Sequence, residues 1–336
     1  MPNVSGKPEQ RTIDDGDFVV VTAIDGTPPS PARMEPASRR PIRVGAVQTS
    51  WHADAQAHTE KLAAGIRRAA DLGAQMVCLQ ELTLSPYFAT VPDSTDAPGR
   101  AESIPDGPTS RFAGEMASRH GVFVHASLYE RSDTGRGFNT AILVAPDGTV
   151  LARTRKLHIP RFPGYYEDRY FDSGDSGFPV VEAAGARFGF PTCWDQWFPE
   201  LARAYSLSGA EILVYPTAIG SEPDAPDFDT EPMWHQMIAA NGLANATFMV
   251  AVNRIGHEDG TTFYGSSFIS DPYGRTLVRA PRHRDAVLVA DLDLDQRRDW
   301  LTFGLLDTRR PEHYGVLTEP TPDVDTLVNS VGAVRR

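Results

Sequence analysis

The chain has 336 residues, 41% of them hydrophobic, with a formal net charge of -12 and no cluster of Lys and Arg. That length supplies the core of one large α/β domain or two smaller ones, and the charge makes nucleic acid and anionic membrane surfaces poor partners. With two cysteines, no apolar run near the ~18 residues of a membrane span and no basic-then-apolar N-terminus, a disulfide framework is excluded and a cytoplasmic protein is expected.

Residues 1–40 are rich in Pro, Asp, Arg and Ser and alternate little. They predict an irregular N-terminal arm, whose one apolar piece, Phe18–Thr22, docks on the body or on another subunit. Hydrophobic periodicity then predicts a strand at Ile42–Gln48, a helix at Ala55–Leu72 stopped by Gly73, and a buried strand over Met76–Gln80. A helix near Thr109–His120 leads to strands at Val122–Tyr129, Asn139–Ala145 and Thr149–Ala152. A short apolar strand around Phe188 stops at Cys193 and turns into a helix over Phe198–Ser208, with Pro199 in the first turn, where a missing N–H costs least. Beyond it come a strand at Ile212–Tyr215, a helix at Pro232–Ala246, and strands at Phe248–Asn253, Phe263–Ser270 and Ala286–Asp291. The stretch His257-Glu258-Asp259 reads as a solvated turn, and Asp291-Leu292-Asp293-Leu294-Asp295 as the alternating end of a strand. Strands and helices interleave over about 250 residues without a linker, so one α/β domain is expected. Its bounds are 41–316, followed by a tail at 317–336.

Three polar residues lie at or just past strand ends, where such a fold presents a site. Glu81 follows an apolar strand, and partial desolvation there suits a carboxylate to general-base work. Lys156 follows the strand Thr149–Ala152, within Arg153-Thr154-Arg155-Lys156-Leu157-His158-Ile159-Pro160. Cys193 stands at the mouth of a sheet, beside a helix N-terminus whose partial charge favours thiolate. A thiol, a carboxylate base and a fixed ammonium together suffice for acyl transfer: the thiolate attacks, the acid moves protons and the cation holds the oxyanion. No serine sits in a Gly-x-Ser-x-Gly elbow, which argues against a serine hydrolase. Cys78, flanked by apolar residues, reads as a core thiol. The histidines show no metal-ligand spacing.

Glu81, Lys156 and Cys193 in that order, with Gln80-Glu81-Leu82, Pro86-Tyr87-Phe88, Arg155-Lys156-Leu157-His158-Ile159-Pro160 and the cysteine elbow, resemble the nitrilase superfamily of carbon–nitrogen hydrolases. The resemblance spans roughly Ile42 to Tyr314. It implies a four-layer α-β-β-α sandwich, no cofactor, no metal, and subunits that pair into a homo-oligomer. It also implies that Glu167 is a fourth polar site residue, orienting the lysine or the substrate nitrogen. Cys193-Trp194-Asp195-Gln196-Trp197-Phe198-Pro199-Glu200, Tyr215–Pro223 and Arg309–Tyr314 are similar to the branch that hydrolyses N-carbamoylputrescine. In that branch the glutamate matching Glu222 faces the substrate's far ammonium, while Tyr87, Trp194 and Trp197 are further expected substrate contacts.

The expected reaction is hydrolysis of an N-carbamoyl amine to amine, carbon dioxide and ammonia through a thioester on Cys193. Departures stand at Ser85, Thr192 and Asp227–Pro232, where the branch usually differs. An N-carbamoyl-β-alanine or other N-carbamoyl amino acid substrate would keep the mechanism but need a cation, for which Arg161, Arg169 and Arg254 are candidates. The same scaffold could also serve an aliphatic amidase or nitrilase, or a non-catalytic binding module.

Overall fold

The computed structural model describes residues 9–133, 135–225 and 227–320. Strands β1 (Arg11–Asp14), β2 (Val19–Ala23) and β3 (Ile42–Gln48) lead into helix α1 (Ala55–Asp71) and strand β4 (Met76–Cys78). Helix α2 (Pro108–His120) precedes β5 (Phe123–Glu130), β6 (Phe138–Val144) and β7 (Val150–Arg155). The short pair β8 (Val180–Ala183) and β9 (Ala186–Gly189) then leads to α3 (Pro199–Leu207), β10 (Ile212–Pro216), α4 (Glu231–Asn245) and β11 (Phe248–Val252). The hairpin β12 (Ile255–Glu258) and β13 (Thr261–Tyr264) is followed by β14 (Phe268–Ser270), β15 (Thr276–Arg279), β16 (Ala286–Leu292) and α5 (Asp295–Leu301).

Among the described residues the strands form an eight-stranded sheet, β1-β2-β16-β3-β4-β5-β6-β7, and a six-stranded sheet, β15-β14-β11-β10-β9-β8. Val44, Met76, Cys78 and Leu288 of the first sheet meet Phe188, Val214 and Val250 of the second in the layer between them. Helices α1 and α2 cover the outer face of the first sheet, packing Leu62, Ile66, Phe112 and Met116 on Val47, Val77 and Val124. Helices α3 and α4 cover the second, with Leu201, Tyr205, Trp234 and Ile238 on Leu213 and Met249. The result is a four-layer α-β-β-α sandwich. Strands covered on both faces read as continuous apolar runs, which is why Val77-Cys78-Leu79 and Ile212–Tyr215 carry so little alternation. Helix α1 starts where the Asp54 carboxylate accepts the Ala57 N–H at 2.8 Å. It lies close on β3 because a Cβ at Gly65 would stand 2.4 Å from Val47 Cγ1. No helix among the described residues is long and apolar enough to cross a membrane.

Several expectations change in detail. The arm is irregular over most of its described length, and its apolar piece docks on the body as a strand: β2 runs parallel to β16, Val20 beside Val287, and β1 turns back antiparallel on β2. The β-branched run Val19-Val20-Val21 finds ladder partners at the free side of β16, which local propensity alone could not supply. The expected strand Phe263–Ser270 is two strands, because Gly265 and Ser266 both take φ +58. A turn was expected at His257-Glu258-Asp259; instead β12 carries Glu258 into the interior and the chain reverses at Asp259-Gly260, both at positive φ. The chain divides into two compact units after Phe303. A second unit follows, described as far as 320, with single 3-10 turns at Pro311–His313 and Gly315–Thr318. Residues 1–8 of the expected arm and 321–336 of the expected tail lie outside the described residues.

One buried base sits in the middle layer. His125 on β5 stacks on Phe190 at 5.2 Å, and neither ring nitrogen has a hydrogen-bond partner among the described residues. Burial pushes its imidazole down from 6.5 to about 3. The unfolded chain therefore takes up this proton first as pH falls, and stability present above about pH 6.5 drains away toward pH 3 at up to about 1.4 kcal/mol per unit. His125→Leu should flatten the acid limb of a Tm-against-pH curve across that window. An unchanged slope would mean that other groups control acid unfolding.

Candidate active site

Three strand ends deliver the polar groups to one place. Glu81 lies just past β4, Lys156 directly follows β7, and Cys193 follows β9 through Phe190-Pro191-Thr192. The Lys156 ammonium donates to Glu81 Oε1 at 3.0 Å and to Glu167 Oε1 and Oε2 at 2.7 and 2.6 Å. All three side chains are fully buried. Burial is the largest influence on Lys156 and opposes its charge, yet Glu167 and Glu81 together hold its pKa above the usual lysine value. Glu167, set in a 3-10 turn over Glu167–Arg169, is raised above the carboxylate range by burial first, against the pull of Lys156 and with the push of Glu81.

Glu81 is held by one oxygen only. Its Oε1 accepts from Asn139 Nδ2 at 2.7 Å as well as from Lys156, whereas its buried Oε2 has no hydrogen-bond partner among the described residues. A carboxylate pinned on one side, with a free lone pair on the other, is arranged to take and return a proton.

Cys193 opens a 3-10 turn, Cys193–Trp197, with φ +40, a backbone state that costs a non-glycine residue roughly 1–3 kcal/mol. Its sulfur lies 4.0 Å from the Ala218 carbonyl oxygen just past β10. The expected helix-end activation does not leave a standing thiolate: burial pushes the thiol well up, Glu81 pushes it further, and Lys156 pulls it back. The resting group is a thiol that ionises when its proton leaves. Cys78 is wholly buried in the middle layer, far from any charge that acts on it, and burial alone raises its thiol.

The remaining expected site residues divide. Tyr87 is buried, and its hydroxyl donates to Glu167 Oε1 at 2.6 Å, so it braces that carboxylate. Trp194 is half-buried, its ring 5.0 Å from Phe162 and 6.1 Å from Trp197, in an aromatic wall next to the cysteine. Glu222 is half-buried at the far end of the segment that leaves β10, and burial lifts its carboxyl while the Thr230 hydroxyl draws it down. Tyr165 accepts the Gly220 N–H on its Oη at 2.9 Å and feels the charge of Glu222.

Sequence reasoning left several residues without a role. Asn139 pins Glu81; an amide inside the apolar run Phe138–Val144 was the available signal. Arg254, considered above as a substrate cation, is fully buried and committed: it pairs with Glu258 at 2.7 Å and donates to the carbonyls of Glu81 at 2.7 Å and Ser85 at 3.2 Å. Glu258 also accepts the Tyr87 N–H at 2.8 Å, so this ion pair clamps the loop that bears the base. Arg161 and Arg169 are exposed. Among the described residues no group of three or more His, Cys, Asp or Glu is placed to hold a metal ion.

Residues 43–301 match the family described as carbon-nitrogen hydrolase. The chain is 38% identical over 291 residues to an N-carbamoylputrescine amidase of Arabidopsis thaliana, covering 83% of this chain and 96% of that one. It is also 38% identical over 280 residues to a citrullinase of Francisella tularensis, covering 81% and 96%. Among solved structures, a carbon-nitrogen hydrolase from Helicobacter pylori superposes with a TM-score of 0.78 at 30% identity, covering 84% of this chain and 100% of that chain.

Proposed function

The chain belongs to the carbon-nitrogen hydrolase family and is a hydrolase of carbon–nitrogen bonds, and from that premise we propose that it cleaves the ureido group of an N-carbamoyl amine, best matched by N-carbamoylputrescine. The observation that carries the mechanism is the half-pinned Glu81: one oxygen held by Asn139 and Lys156, the other buried without a partner among the described residues. Its free oxygen takes the Cys193 proton as the sulfur attacks the carbamoyl carbon. The tetrahedral oxyanion is held by the Lys156 ammonium and by the backbone N–H of Trp194, in the first turn of the Cys193–Trp197 3-10 helix. Glu81 returns its proton to the departing nitrogen. It then deprotonates the water that clears the thioester, and the resulting carbamate falls apart to carbon dioxide. The sum is one water consumed, with one amine, one ammonia and one carbon dioxide formed, whichever nitrogen leaves first.

Charge supports the choice of amine. Glu222 lies four residues beyond Ala218, whose carbonyl touches the sulfur, so the chain between them spans at most about 14 Å. A half-buried carboxylate gains most from an ammonium partner, since each otherwise loses hydration for nothing. N-carbamoylputrescine and citrulline both carry a ureido group on a short aliphatic chain with an amine at the far end. Citrulline adds a carboxylate, and of the three arginines considered for one, Arg254 is committed while Arg161 and Arg169 are exposed.

Ammonia release should be measured with N-carbamoylputrescine, citrulline, N-carbamoyl-β-alanine, N-butylurea and a simple aliphatic amide. The ammonium-bearing ureide without a carboxylate should have the highest kcat/KM. Glu222→Gln should raise its KM roughly 10- to 100-fold, the worth of a hydrogen bond to a charged group, and leave neutral N-butylurea unchanged. Equal losses on both substrates would remove Glu222 from recognition, and preference for a carboxylated ureide would overturn the substrate reading.

A further inference from the structure

The elbow that carries Cys193 is tied to the strand end that carries Lys156 by a single buried carboxylate. Asp195, 1% exposed, accepts the Thr192 N–H on Oδ2 at 3.0 Å. Its Oδ1 accepts the His158 backbone N–H at 2.9 Å and lies 2.8 Å from His158 Nδ1. Thr192 immediately precedes the nucleophile and His158 comes two residues after the ammonium, so one side chain holds the flanks of both. The His158 ring is itself fixed by stacking on Phe198 at 3.6 Å, nearly parallel at 6°. Phe198 caps the other end of the Cys193–Trp197 turn and leads into α3.

This bracing matters because of the state in which Cys193 is held. A non-glycine residue at φ +40 persists only where its surroundings over-determine it. Here the surroundings are the Thr192 N–H bond before it and the Asp195 N–H bond to the Thr192 carbonyl at 3.0 Å, which closes the turn over it. Lys156 has its own constraint, since its backbone N–H donates to the Asn139 carbonyl at 2.8 Å and its ammonium pairs with Glu81 and Glu167. Nothing in that set refers to the sulfur. The Asp195 carboxylate supplies the missing reference.

We propose that Asp195, backed by His158, is the positioning residue that sets the Cys193 sulfur against the Lys156 ammonium. It touches neither substrate nor the reacting atoms. Its effect is on how often the attacking sulfur and the oxyanion donor are in register, and so on kcat rather than on substrate affinity. The proposal rests on the reading of Cys193 as nucleophile, and the experiment separates failure of the two.

Asp195→Asn keeps the shape but turns an NH2 toward either the Thr192 N–H or the His158 pair, where an acceptor is required. It should lower kcat roughly 100-fold, as expected for a displacement of about 1 Å at reacting atoms, with KM within about twofold. The rate at which iodoacetamide alkylates Cys193 should fall in parallel. His158→Ala loses only the ring contact, because its backbone N–H still donates to Asp195, and should lower kcat roughly tenfold with KM unchanged. The double variant should be no worse than Asp195→Asn alone, since His158 acts through the carboxylate. Independent, multiplying losses would overturn the proposal. So would a kcat that falls only in proportion to the folded fraction measured by circular dichroism. Should Asp195→Asn fail to fold, His158→Ala decides alone: unchanged kcat refutes the positioning role. Wild-type enzyme that keeps its turnover after Cys193 is alkylated would refute the nucleophile itself.

Discussion

Glu81→Gln should cut turnover by about 10³-fold, within the 10²–10⁴ range for a positioned acid–base group, without unfolding the protein. The amide is isosteric, its oxygen can take the Asn139 and Lys156 hydrogen bonds now made by Oε1, and its NH2 replaces the oxygen that has no partner. Alkylation of Cys193 should behave differently. The Glu81 charge pushes the thiol up, so its removal beside Lys156 lets the sulfur ionise more readily. With that charge gone, iodoacetamide should react at the wild-type rate or faster while turnover stays crippled. Parallel falls in both would show that Glu81 only holds the site together. This pattern is opposite to that expected of Asp195→Asn, where the two readouts fall together, so the pair of variants separates proton transfer from positioning.

Lys156→Met should abolish turnover and also destabilise the fold by about 3–5 kcal/mol, the usual consequence of stranding buried charge. Glu81 and Glu167 are both fully buried, and Lys156 is the cation they share. Without it at least one carboxylate must hold a proton, because like charges at this separation cannot both ionise cheaply. The folded-state pKa of Glu167, already raised by burial against the pull of Lys156, then lies further above the unfolded one. Below the unfolded value, stability is unaffected; as pH rises through the raised folded value, it is lost. The variant should therefore approach wild-type Tm near pH 4–5 and fall furthest behind above pH 7, judged against ordinary carboxylate values of about 4.3. Adding Glu167→Gln should restore part of the Tm at pH 8 and none of the activity. A pH-independent Tm deficit would show that lost packing of the lysine stem, not its charge, is responsible.

Much of the layer structure was legible because it rests on local patterning. The strand Ile42–Gln48 appears with the expected bounds, α1 ends one residue before Leu72, and α4 is shifted by one residue from Pro232–Ala246. Glu81, Lys156 and Cys193 were readable as polar groups at or just past strand ends and Glu167 only through the family resemblance, and the fold brings all four together. What was not legible depends on partners distant in sequence. Val19–Ala23 becomes strand because β16, more than 260 residues later, offers a ladder. Glu258 looked solvated beside His257 and Asp259, yet Arg254 and the Tyr87 N–H draw it inside. Asp295 looked like the last residue of an alternating strand, whereas its carboxylate accepts the Arg39 N–H at 3.1 Å and the chain turns helical there.

By itself the sequence determined the α/β layering and the chemical set of thiol, carboxylate and ammonium. Both follow from which residue types stand at which spacing. Only the tertiary structure decided their states: that Cys193 rests as a buried thiol at positive φ, that Lys156 remains charged between two carboxylates, and that Glu81 keeps one oxygen free. It also decided that Arg254 serves the loop and not a ligand. The physical reason is common to all four. Protonation state and orientation are set by burial and by which opposing charge lies within a few ångströms, and those neighbours come from strand ends 75, 112 and 173 residues away in the chain, as with Lys156 and Cys193 around Glu81 and Arg254 behind it.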